Sequence, residues 1–486
     1  MHTLFRLIGD LGRLRETVTA FSGLGFAQFM FRMGLGWCMS VRCWIRCRLG
    51  GHACPVVDMP RQCRLVFERL GATYIKLGQV LSMRPDVVAP AYISEFRRLQ
   101  EHAPPVAYAD VERTIRADLK RSPNELYARF DPEPIAAASL GQVHRARLRD
   151  GTEVAVKVQR PHVRQLLLRD LRILEFIVRR MEERLPEFRQ LRPMSALKTF
   201  RESLMNEIDY RIEARNADRY AYQLRNETGV KIPRIFWEYT TAHVLTMEFV
   251  RGIRMGDAEA LKAKGIEHGA VLRNCMRGCL IPIFLDGFFH ADPHPGNVWV
   301  QENGEICYLD FGMMGSLARE ERRDLLLLIL FLSEEHIDSA IYYLLKLCEV
   351  TGSADVESYR QEVISMVTSY YQHPEQKTAT ETLNGILHAG ARHGIYFPPG
   401  MVMLAKALMT CESMCRMTHG NMDFLKHARP LLQEIALREF GPMNVLREFE
   451  KSLPEIAAML SRLPGVLQGA LNGVVSQPAT GRDDRH

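Results

Sequence analysis

Most of the chain places its apolar residues three and four positions apart, which is the spacing of amphipathic helices. This pattern covers residues 64–79 and 163–225, and it returns from residue 257 onward. Two short runs interrupt the last stretch, residues 298–300 and 306–309, and they predict short strands. We therefore expect a largely helical second half that carries two small strands.

Residues 133–160 follow a different pattern, in which apolar and polar positions alternate. Residues 143–148 and 154–158 predict two strands joined by the tight turn 149–152. Residues 230–250 are also rich in strand-forming side chains. A small sheet-containing part followed by a helical part predicts an α+β fold with two lobes. The cleft between two such lobes is a natural nucleotide site.

Composition narrows the function classes without naming one. The 486 residues are 47% hydrophobic and 25% charged, which is typical of a globular protein with two or three domains. The net charge of +6 is too small to predict a nucleic-acid partner. The 11 cysteines include no CxxC pair, and Cys43, Cys47, Cys54 and Cys63 fit no zinc spacing. Without a signal-peptide pattern, the simplest interpretation is a cytoplasmic protein with unpaired thiols.

The two ends of the chain raise the question of membrane contact. Residues 1–60 are rich in Arg, and Trp37 and Trp44 lie among them. Residues 21–41 are largely apolar, but Arg32 and four Gly interrupt them, so they are not expected to span a membrane. Two interpretations stay open: a helix at a membrane interface, or a helix packed on the protein with an Arg-rich solvent face. Residues 463–475 are a mostly apolar run of 13 residues, which is also too short to span.

The strongest chemical signal is the segment His-Ala-Asp-Pro-His-Pro-Gly-Asn at residues 290–297, followed by Asp310-Phe311-Gly312. Asp292, Asn297 and Asp310 have the order and spacing of a phosphoryl-transfer site. In such a site one carboxylate orients the acceptor, while an amide and a second carboxylate hold Mg²⁺. His290 is expected to brace the loop. His294 stands where a typical kinase has Lys, and both a structural and a substrate-facing role are open.

Lys157 and Ala155 share one face of a predicted strand. The small side chain leaves room for an adenine ring, and the Lys can reach the α- and β-phosphates. Such a Lys needs an anionic partner, and Glu207, Asp209 and Glu213 lie together on a predicted helix. One of them is expected to pair with Lys157 while another faces a different cation.

Three features depart from a typical protein kinase. Where a Gly-rich loop is expected, the chain has Ala136-Ala137-Ala138-Ser139, and alanine resists the positive φ values that glycine accepts. Upstream, Lys76 and Gln79 lie in a Lys-Leu-Gly-Gln segment. Only about six residues separate Gly312 from the next predicted helix near Arg319, and no Ala-Pro-Glu element follows. The segment that docks peptides is missing, which favours a small acceptor or none.

These motifs together resemble the UbiB/AarF/ADCK family of atypical, protein-kinase-like proteins, over residues 65–430. The combination of the Lys76–Gln79 signature, the Ala-rich loop and a kinase core is specific to that family. The resemblance implies a protein-kinase-like two-lobe α+β fold whose N-terminal helical extension covers the active site. The implied divisions are an amphipathic N-terminal region (1–60), the helical extension (61–130), an N-lobe with a helical insertion (131–250), a helical C-lobe (251–476) and a disordered tail (477–486).

The resemblance also implies roles for the candidate residues. Glu213 would be the helix partner of Lys157, and these two would form the catalytic set with Asp292. Lys76 would pair with Glu207 and Asp209, and with Gln79 these residues would be regulatory. Asn297 and Asp310 would hold Mg²⁺. The residues that would contact ATP or ADP are Ala136, Ala137, Ala138, Ser139, Val143, Ala155, Lys157, Met247, Glu248 and Val250.

Members of that family bind Mg²⁺–ATP, are linked to ubiquinone (coenzyme Q) biosynthesis and associate with membranes. We therefore expect an atypical kinase or ATPase that works at the inner membrane, peripherally bound, near membrane lipids and isoprenoid quinone precursors. Other ubiquinone-biosynthesis proteins are expected partners, and a homodimer is left open. A nucleotide-binding pseudokinase scaffold and a small-molecule kinase are the alternatives. The intact catalytic positions argue against the first, and the Lys76–Gln79 signature argues against the second.

Overall fold

The structure is a computed structural model that describes residues 10–22, 26–39, 44, 58–82, 88–99, 104–185, 193–373, 376–420 and 422–441. The chain divides into two compact units, Met1–Arg429 and Pro430–His486. Within the second unit only residues 430–441 are described, and they form the end of the last helix. The apolar run 463–475 and the tail 477–486 lie outside the described residues, as do Cys43, Cys47 and Cys54.

The described part of residues 1–99 is helical. Its helices are α1 (Leu11–Phe21), α2 (Ala27–Arg32), α3 (Met59–Leu70), α4 (Ala72–Leu81) and α5 (Pro90–Phe96). The helix predicted over residues 64–79 is interrupted at Gly71, whose φ of 90° is unfavourable for residues with a Cβ. Gly78 allows a close approach in α4, because a Cβ there would lie 2.3 Å from the Leu99 side chain and 2.7 Å from that of Phe67.

A small antiparallel sheet follows the helical extension, with two helices before it. These elements are α6 (Tyr108–Leu119), α7 (Pro123–Leu126), β1 (Arg129–Phe130), β2 (Ala136–Ala137), β3 (Gly141–Arg147), β4 (Glu153–Gln159) and, later in the chain, β6 (Val244–Glu248). The strand order is β1-β3-β4-β6, and β2 pairs with β3. The two strands predicted at residues 143–148 and 154–158 are confirmed as β3 and β4, which are paired along their whole length.

The alternation along β4 separates a core face from a cleft face. Val154, Val156 and Val158 are fully buried and pack with α6 in one hydrophobic cluster. Ala155 and Lys157 lie on the opposite, partly exposed face, as the period of two requires.

Three helices lie between β4 and β6: α8 (Val163–Arg184), α9 (Pro193–Glu207) and α10 (Tyr210–Gln223). The prediction of one helix that carries Glu207, Asp209 and Glu213 is wrong. Asp209 accepts a hydrogen bond from the Arg211 N–H at 3.1 Å and caps α10, so the chain turns between two helices. Glu207 therefore ends α9, while Glu213 lies in the first turn of α10.

The rest of the described chain is mainly helical, with short strands between the helices. The elements are β5 (Val230–Lys231), β7 (Ile253–Arg254), α11 (Ala258–Ala263), α12 (His268–Ile281), β8 (Phe288–His290), β9 (Val298–Val300), β10 (Ile306–Tyr308), β11 (Met314–Ser316), α13 (Arg319–Ser333), α14 (Ile337–Lys346), β12 (Glu349–Val350), α15 (Val356–Gln372), α16 (Ala379–Arg392), β13 (Ile395–Tyr396), α17 (Pro399–His419) and α18 (Phe424–Phe440). The two predicted strands are confirmed as β9 and β10. Strands β8 and β11, which have the same length of three residues, were not predicted.

The N-terminal helices bury their apolar faces on the insertion helix α8. Leu14, Val18, Met30 and Met33 form one cluster with Ile173. For the described residues this arrangement agrees with the packed-helix interpretation of the N-terminal region. No helix in the described ranges combines the length and apolar character that crossing a membrane requires.

A buried ion pair fastens α1 to α8. Asp170 is 0% exposed and accepts hydrogen bonds from Arg13 Nε at 2.8 Å and from Thr73 Oγ1 at 2.6 Å. The same Arg13 also donates to the Leu70 carbonyl oxygen at 2.6 Å. One carboxylate therefore holds α1, α8 and the start of α4 together.

We expect Asp170→Ala to lower the free energy of unfolding by about 3–5 kcal/mol, because it removes the buried carboxylate that pairs with Arg13 and accepts from Thr73. Urea denaturation measures this loss. The control is Asp338→Ala, which removes an exposed pair with Arg360 (2.6 Å) and should change stability little. Equal losses in the two variants would contradict a special role for Asp170.

Candidate active site

A buried ion pair connects the sheet to α10. Lys157 Nζ lies 2.8 and 2.9 Å from the two carboxylate oxygens of Glu213, which is 5% exposed. The ammonium also lies 5.1 Å from the centre of the Tyr210 ring. Gly141 makes room for Tyr210, because a Cβ there would lie 2.3 Å from the Tyr210 hydroxyl. The partnership of Lys157 with Glu213 that the resemblance implies is therefore present in the structure.

The electrostatic environment keeps Lys157 charged. Burial alone would lower the pKa of Lys157, but the carboxylates of Glu213 and Asp310 outweigh it and hold the pKa well above its usual value. Burial raises the pKa of Glu213, and Lys157 opposes that rise. The negative charge of Asp310 raises the pKa of both Lys157 and Glu213. Lys157 in the sheet and Asp310 in the helical half therefore face a common space.

One face of α10 connects three parts of the site. Glu213, Asn216 and Tyr220 are three and four positions apart, so they point the same way. Asn216 Nδ2 donates to the Phe311 carbonyl oxygen at 2.9 Å. Tyr220 donates its hydroxyl to the Gly278 carbonyl oxygen at 2.7 Å.

His290 braces the loop that precedes Asn297, as the sequence predicts. Its Nε2 contacts the Asp310 carbonyl oxygen, and its Nδ1 lies 3.2 Å from the Asp292 backbone N–H. Nδ1 therefore accepts while Nε2–H donates, which is the pattern of a neutral imidazole. Burial lowers the pKa of His290, although Asp310 opposes this shift. The ring packs on Tyr220 and Phe311, so it connects segment 290–297 with segment 310–312.

Asn297 and Asp310 lie side by side. Asn297 Nδ2 is 3.5 Å from Asp310 Oδ2, and Asp310 Oδ1 accepts the Gly312 N–H at 2.9 Å. Burial would raise the pKa of Asp310, but Lys157, the Gly312 N–H, His290 and Lys76 together lower it. An ionised carboxylate and a neighbouring side-chain amide, whose oxygen can act as a ligand, form a donor set that suits Mg²⁺.

Asp292 pairs with a lysine that the sequence interpretation missed. Lys406 Nζ lies 2.9 Å from Asp292 Oδ2, and the side chains are 31% and 39% exposed. Lys406 belongs to α17, more than a hundred residues after Asp292. A signal was present in the sequence, because Lys406 is the single polar residue in the run 401–409.

His294 has a structural role in the loop. Its Nδ1 accepts the Gly296 N–H at 3.1 Å and caps the short helical turn Pro295–Asn297. A substrate-facing role for the rest of the ring stays open.

The Ala-rich segment is part of the sheet rather than an open loop. Ala136 pairs with Val143, and Ala137 pairs with Gln142. The Ala138 N–H donates to the Gly141 carbonyl oxygen at 2.8 Å, and the Ala138 carbonyl oxygen accepts from Arg160 at 2.9 Å. The segment that would meet the phosphates therefore has its backbone held by hydrogen bonds.

The other expected nucleotide contacts line the neighbouring strands. Ala155 lies opposite Met247 in the pairing of β4 with β6. Val250, just beyond β6, is 6% exposed. The Glu248 side chain pairs with Lys231 at 2.5 Å, so only its backbone is left for the contact that the sequence predicts. Nucleotide binding by these residues stays a prediction.

The charge of the extension reaches Asp310, one of the expected Mg²⁺ ligands. Lys76 pairs with Glu207 at the end of α9, and its charge contributes to the lowered pKa of Asp310. Asp209, the other expected partner, pairs with Arg211 at 2.7 Å. Gln79 Nε2 lies 3.5 Å from the Leu99 carbonyl oxygen, a long contact within the extension. Lys76 is thus the residue of the signature that acts on the site.

The segment after Gly312 is short and is held by strand pairing. Met314 pairs with His290, and Ser316 pairs with Phe288, in the antiparallel strands β11 and β8. Helix α13 begins at Arg319. The few intervening residues offer no extended platform for a peptide, as the sequence predicts.

A group of thiols lies behind the site, where α12 packs against α17. The sulfur atoms of Cys275, Cys411 and Cys415 lie within 4.8 Å of one another, and all three residues are buried and free. Buried free cysteines pack as small apolar side chains. The sequence interpretation did not bring them together, because the two helices are far apart along the chain.

Comparisons with known proteins identify a family to which the chain is similar. The profile of the ABC1 atypical kinase-like domain matches residues 98–342. The Synechocystis protein sll1770 is 31% identical over 421 residues, which cover 85% of this chain and 72% of that protein. Arabidopsis thaliana ACTIVITY OF BC1 COMPLEX KINASE 7, chloroplastic, is 34% identical, and the match covers 82% of this chain and 58% of that protein.

Bacterial relatives and a solved structure extend these matches. The probable protein kinase UbiB of Xylella fastidiosa is 30% identical over 82% of this chain and 73% of that protein. The structure of Mycobacterium tuberculosis Rv3197 in complex with erythromycin matches with a TM-score of 0.50 and 21% identity, over 74% of this chain and 95% of that one. This last match concerns the fold alone, and it agrees with the kinase-like α+β architecture. The chain belongs to the ABC1/UbiB family of atypical kinase-like proteins.

Proposed function

We propose that the protein is a Mg²⁺–ATP-dependent atypical kinase or ATPase. The observation that carries this proposal is the convergence of Lys157, Asp310 and Asn297, with the Asp292 backbone linked to that of Asp310 through His290. Lys157 is held charged by Glu213, and Asp310 stays ionised beside the Asn297 amide. These residues would position the phosphates and Mg²⁺, and Asp292 would orient the attacking hydroxyl.

The acceptor side supports a small substrate or water. The short segment after Gly312 is paired with β8, and the extension places Lys76 near Asp310. A peptide would need the space that these two elements take. We therefore place the acceptor among small molecules, with water as the basal acceptor.

We further propose that this activity supports ubiquinone biosynthesis, on isoprenoid precursors at the inner face of the membrane. The resemblance and the relatives named UbiB support this role. Peripheral contact through the N-terminal region is supported by Trp37, which is 62% exposed. Other quinone-biosynthesis proteins would be its partners. The lipid that copurifies with the protein tests the proposal: a polyprenyl-phenol supports it, and tight peptide binding without such a lipid contradicts it.

A nucleotide-binding scaffold without turnover is the second candidate. It is favoured by the hydrogen-bonded Ala-rich segment and by a cation, Lys76, close to Asp310. Both features would make phosphate contacts or metal binding weaker than in an active kinase. Nucleotide that stabilises the fold but is never hydrolysed would support the scaffold.

We expect Mg²⁺-dependent ATP hydrolysis by the wild type, measured with and without anionic liposomes. Asp310→Asn should lower the rate by roughly 100-fold or more, because it removes a charged metal ligand. Asp338→Asn, a change of the same kind on an exposed helix, should leave the rate unchanged. Equal inactivity of the wild type and Asp310→Asn in every condition would exclude the enzymatic proposal.

Asp292→Asn should separate activity from folding. The side chain is 39% exposed and nearly the same size as its replacement, so the free energy of unfolding should change by less than about 1 kcal/mol. Turnover should fall by about 100-fold or more, since this catalysis depends on positioning and charge. The two measurements are denaturation and ATP turnover, and loss of soluble protein would show that Asp292 is structural.

Lys76→Gln should lower the Mg²⁺ concentration needed for half-maximal nucleotide binding, because it removes a positive charge that acts on Asp310. Calorimetric titrations of ADP at several Mg²⁺ concentrations measure this shift. Lys198→Gln changes an exposed lysine on α9 and serves as the control. Identical Mg²⁺ dependence in the wild type and Lys76→Gln would show that the extension does not influence the metal site.

A further inference from the structure

The loop around Asp292 carries no cation of its own. The residues between Asp292 and Asn297 are Pro293, His294, Pro295 and Gly296. Nδ1 of His294 accepts a backbone N–H, so that nitrogen carries no proton. Charge that develops on a transferred phosphoryl group is stabilised by cations that approach its oxygens. In this protein a cation on the Asp292 side of that group would come from another part of the chain.

Helix α17 brings a lysine to that position. Lys406 Nζ lies 2.9 Å from Asp292 Oδ2. The start of α17 lies against the short segment after Gly312, because a Cβ on Gly400 would lie 3.7 Å from the Ser316 carbonyl oxygen.

The surroundings of Lys406 suit a ligand-facing residue. Leu404, Ala405 and Ala407 are buried, so they fix the helix in place while the lysine points out of the core. Its side chain is 31% exposed and that of Asp292 is 39% exposed, so solvent or a ligand can reach both. The ammonium has three N–H groups, and a single carboxylate oxygen engages only part of this capacity.

We propose that Lys406 contacts the γ-phosphate of bound ATP, in place of the cation that the catalytic loop lacks. This inference rests on the proposed function. The ammonium would bridge Asp292 and the γ-phosphate oxygens, and it would keep the Asp292 carboxylate oriented towards the acceptor. Lys406 is therefore a phosphate-binding residue supplied by the C-terminal helices.

The transfer step balances with these groups. The hydroxyl oxygen of the acceptor, or of water, forms a bond to the γ-phosphorus. The bond from that phosphorus to the β,γ-bridging oxygen breaks, and its electron pair leaves on ADP. The acceptor proton passes to Asp292, while Lys406 stays protonated and meets the negative charge of the transferred group.

The test compares Lys406→Met, Lys406→Arg and the wild type in binding and in turnover. Affinities for ATP and ADP, each with Mg²⁺, are measured by calorimetry, and kcat and KM by ATP hydrolysis. Lys406→Met should weaken ATP binding by roughly tenfold while ADP binding is unchanged, because ADP lacks the γ-phosphate. It should also lower kcat by roughly 10- to 100-fold, and Lys406→Arg should restore part of both.

The matched control is Lys346→Met, which removes a lysine paired with Asp324 at 2.8 Å in the α13–α14 hairpin. It should alter neither the ATP-to-ADP affinity ratio nor kcat. A purely structural role for Lys406 predicts equal weakening of ATP and ADP binding with a lower melting temperature, and this outcome would overturn the proposal. An unchanged affinity ratio would overturn it too.

The binding measurements keep this inference separate from the proposed function. If the wild type binds nucleotide but never hydrolyses it, the enzymatic proposal fails. A Lys406→Met variant that still loses ATP affinity selectively would then support the γ-phosphate contact in a nucleotide-binding scaffold.

Discussion

The site depends on one buried ion pair, Lys157 with Glu213. Burying two charges costs free energy, and the cost is offset only when geometry and hydrogen bonding are good. Here both carboxylate oxygens reach the ammonium. The pair fixes the rotation of α10 against the sheet, and this rotation decides where Asn216 and Tyr220 point.

Because Glu213, Asn216 and Tyr220 share one face of α10, the Lys157–Glu213 pair also positions the segment Asp310-Phe311-Gly312. Asn216 holds the Phe311 backbone, and Tyr220 packs on Phe311 and His290. His290 then links the backbones at Asp292 and Asp310. A change in the position of α10 would therefore reach every candidate catalytic group through direct contacts.

Part of the positive charge around the site comes from outside the kinase-like core. Within the described residues, Lys157 faces Glu213, Lys406 pairs with Asp292, and Lys76 acts on Asp310. These lysines come from the sheet, from the C-terminal helices and from the extension. A site assembled in this way is electrostatically complete only when all three parts are folded together. Under the proposed function, Mg²⁺ bound at Asp310 would face the positive charge of Lys76, which would give the extension a physical means of control.

The sequence by itself determined the family, the fold class and most of the local structure. Strands β3 and β4 follow from alternation, and Asp292, Asn297 and Asp310 stand out by their order and spacing along the chain. The partner of Lys157 was correctly implied by the resemblance, but the turn at Asp209 that divides α9 from α10 was missed. Only the tertiary structure decided which distant charges meet. The pairing of Lys406 with Asp292, the buried Arg13–Asp170 pair and the thiols of Cys275 and Cys411 join segments separated by more than a hundred residues. Periodicity reports which face of an element is buried, and it carries no information about which other element covers that face.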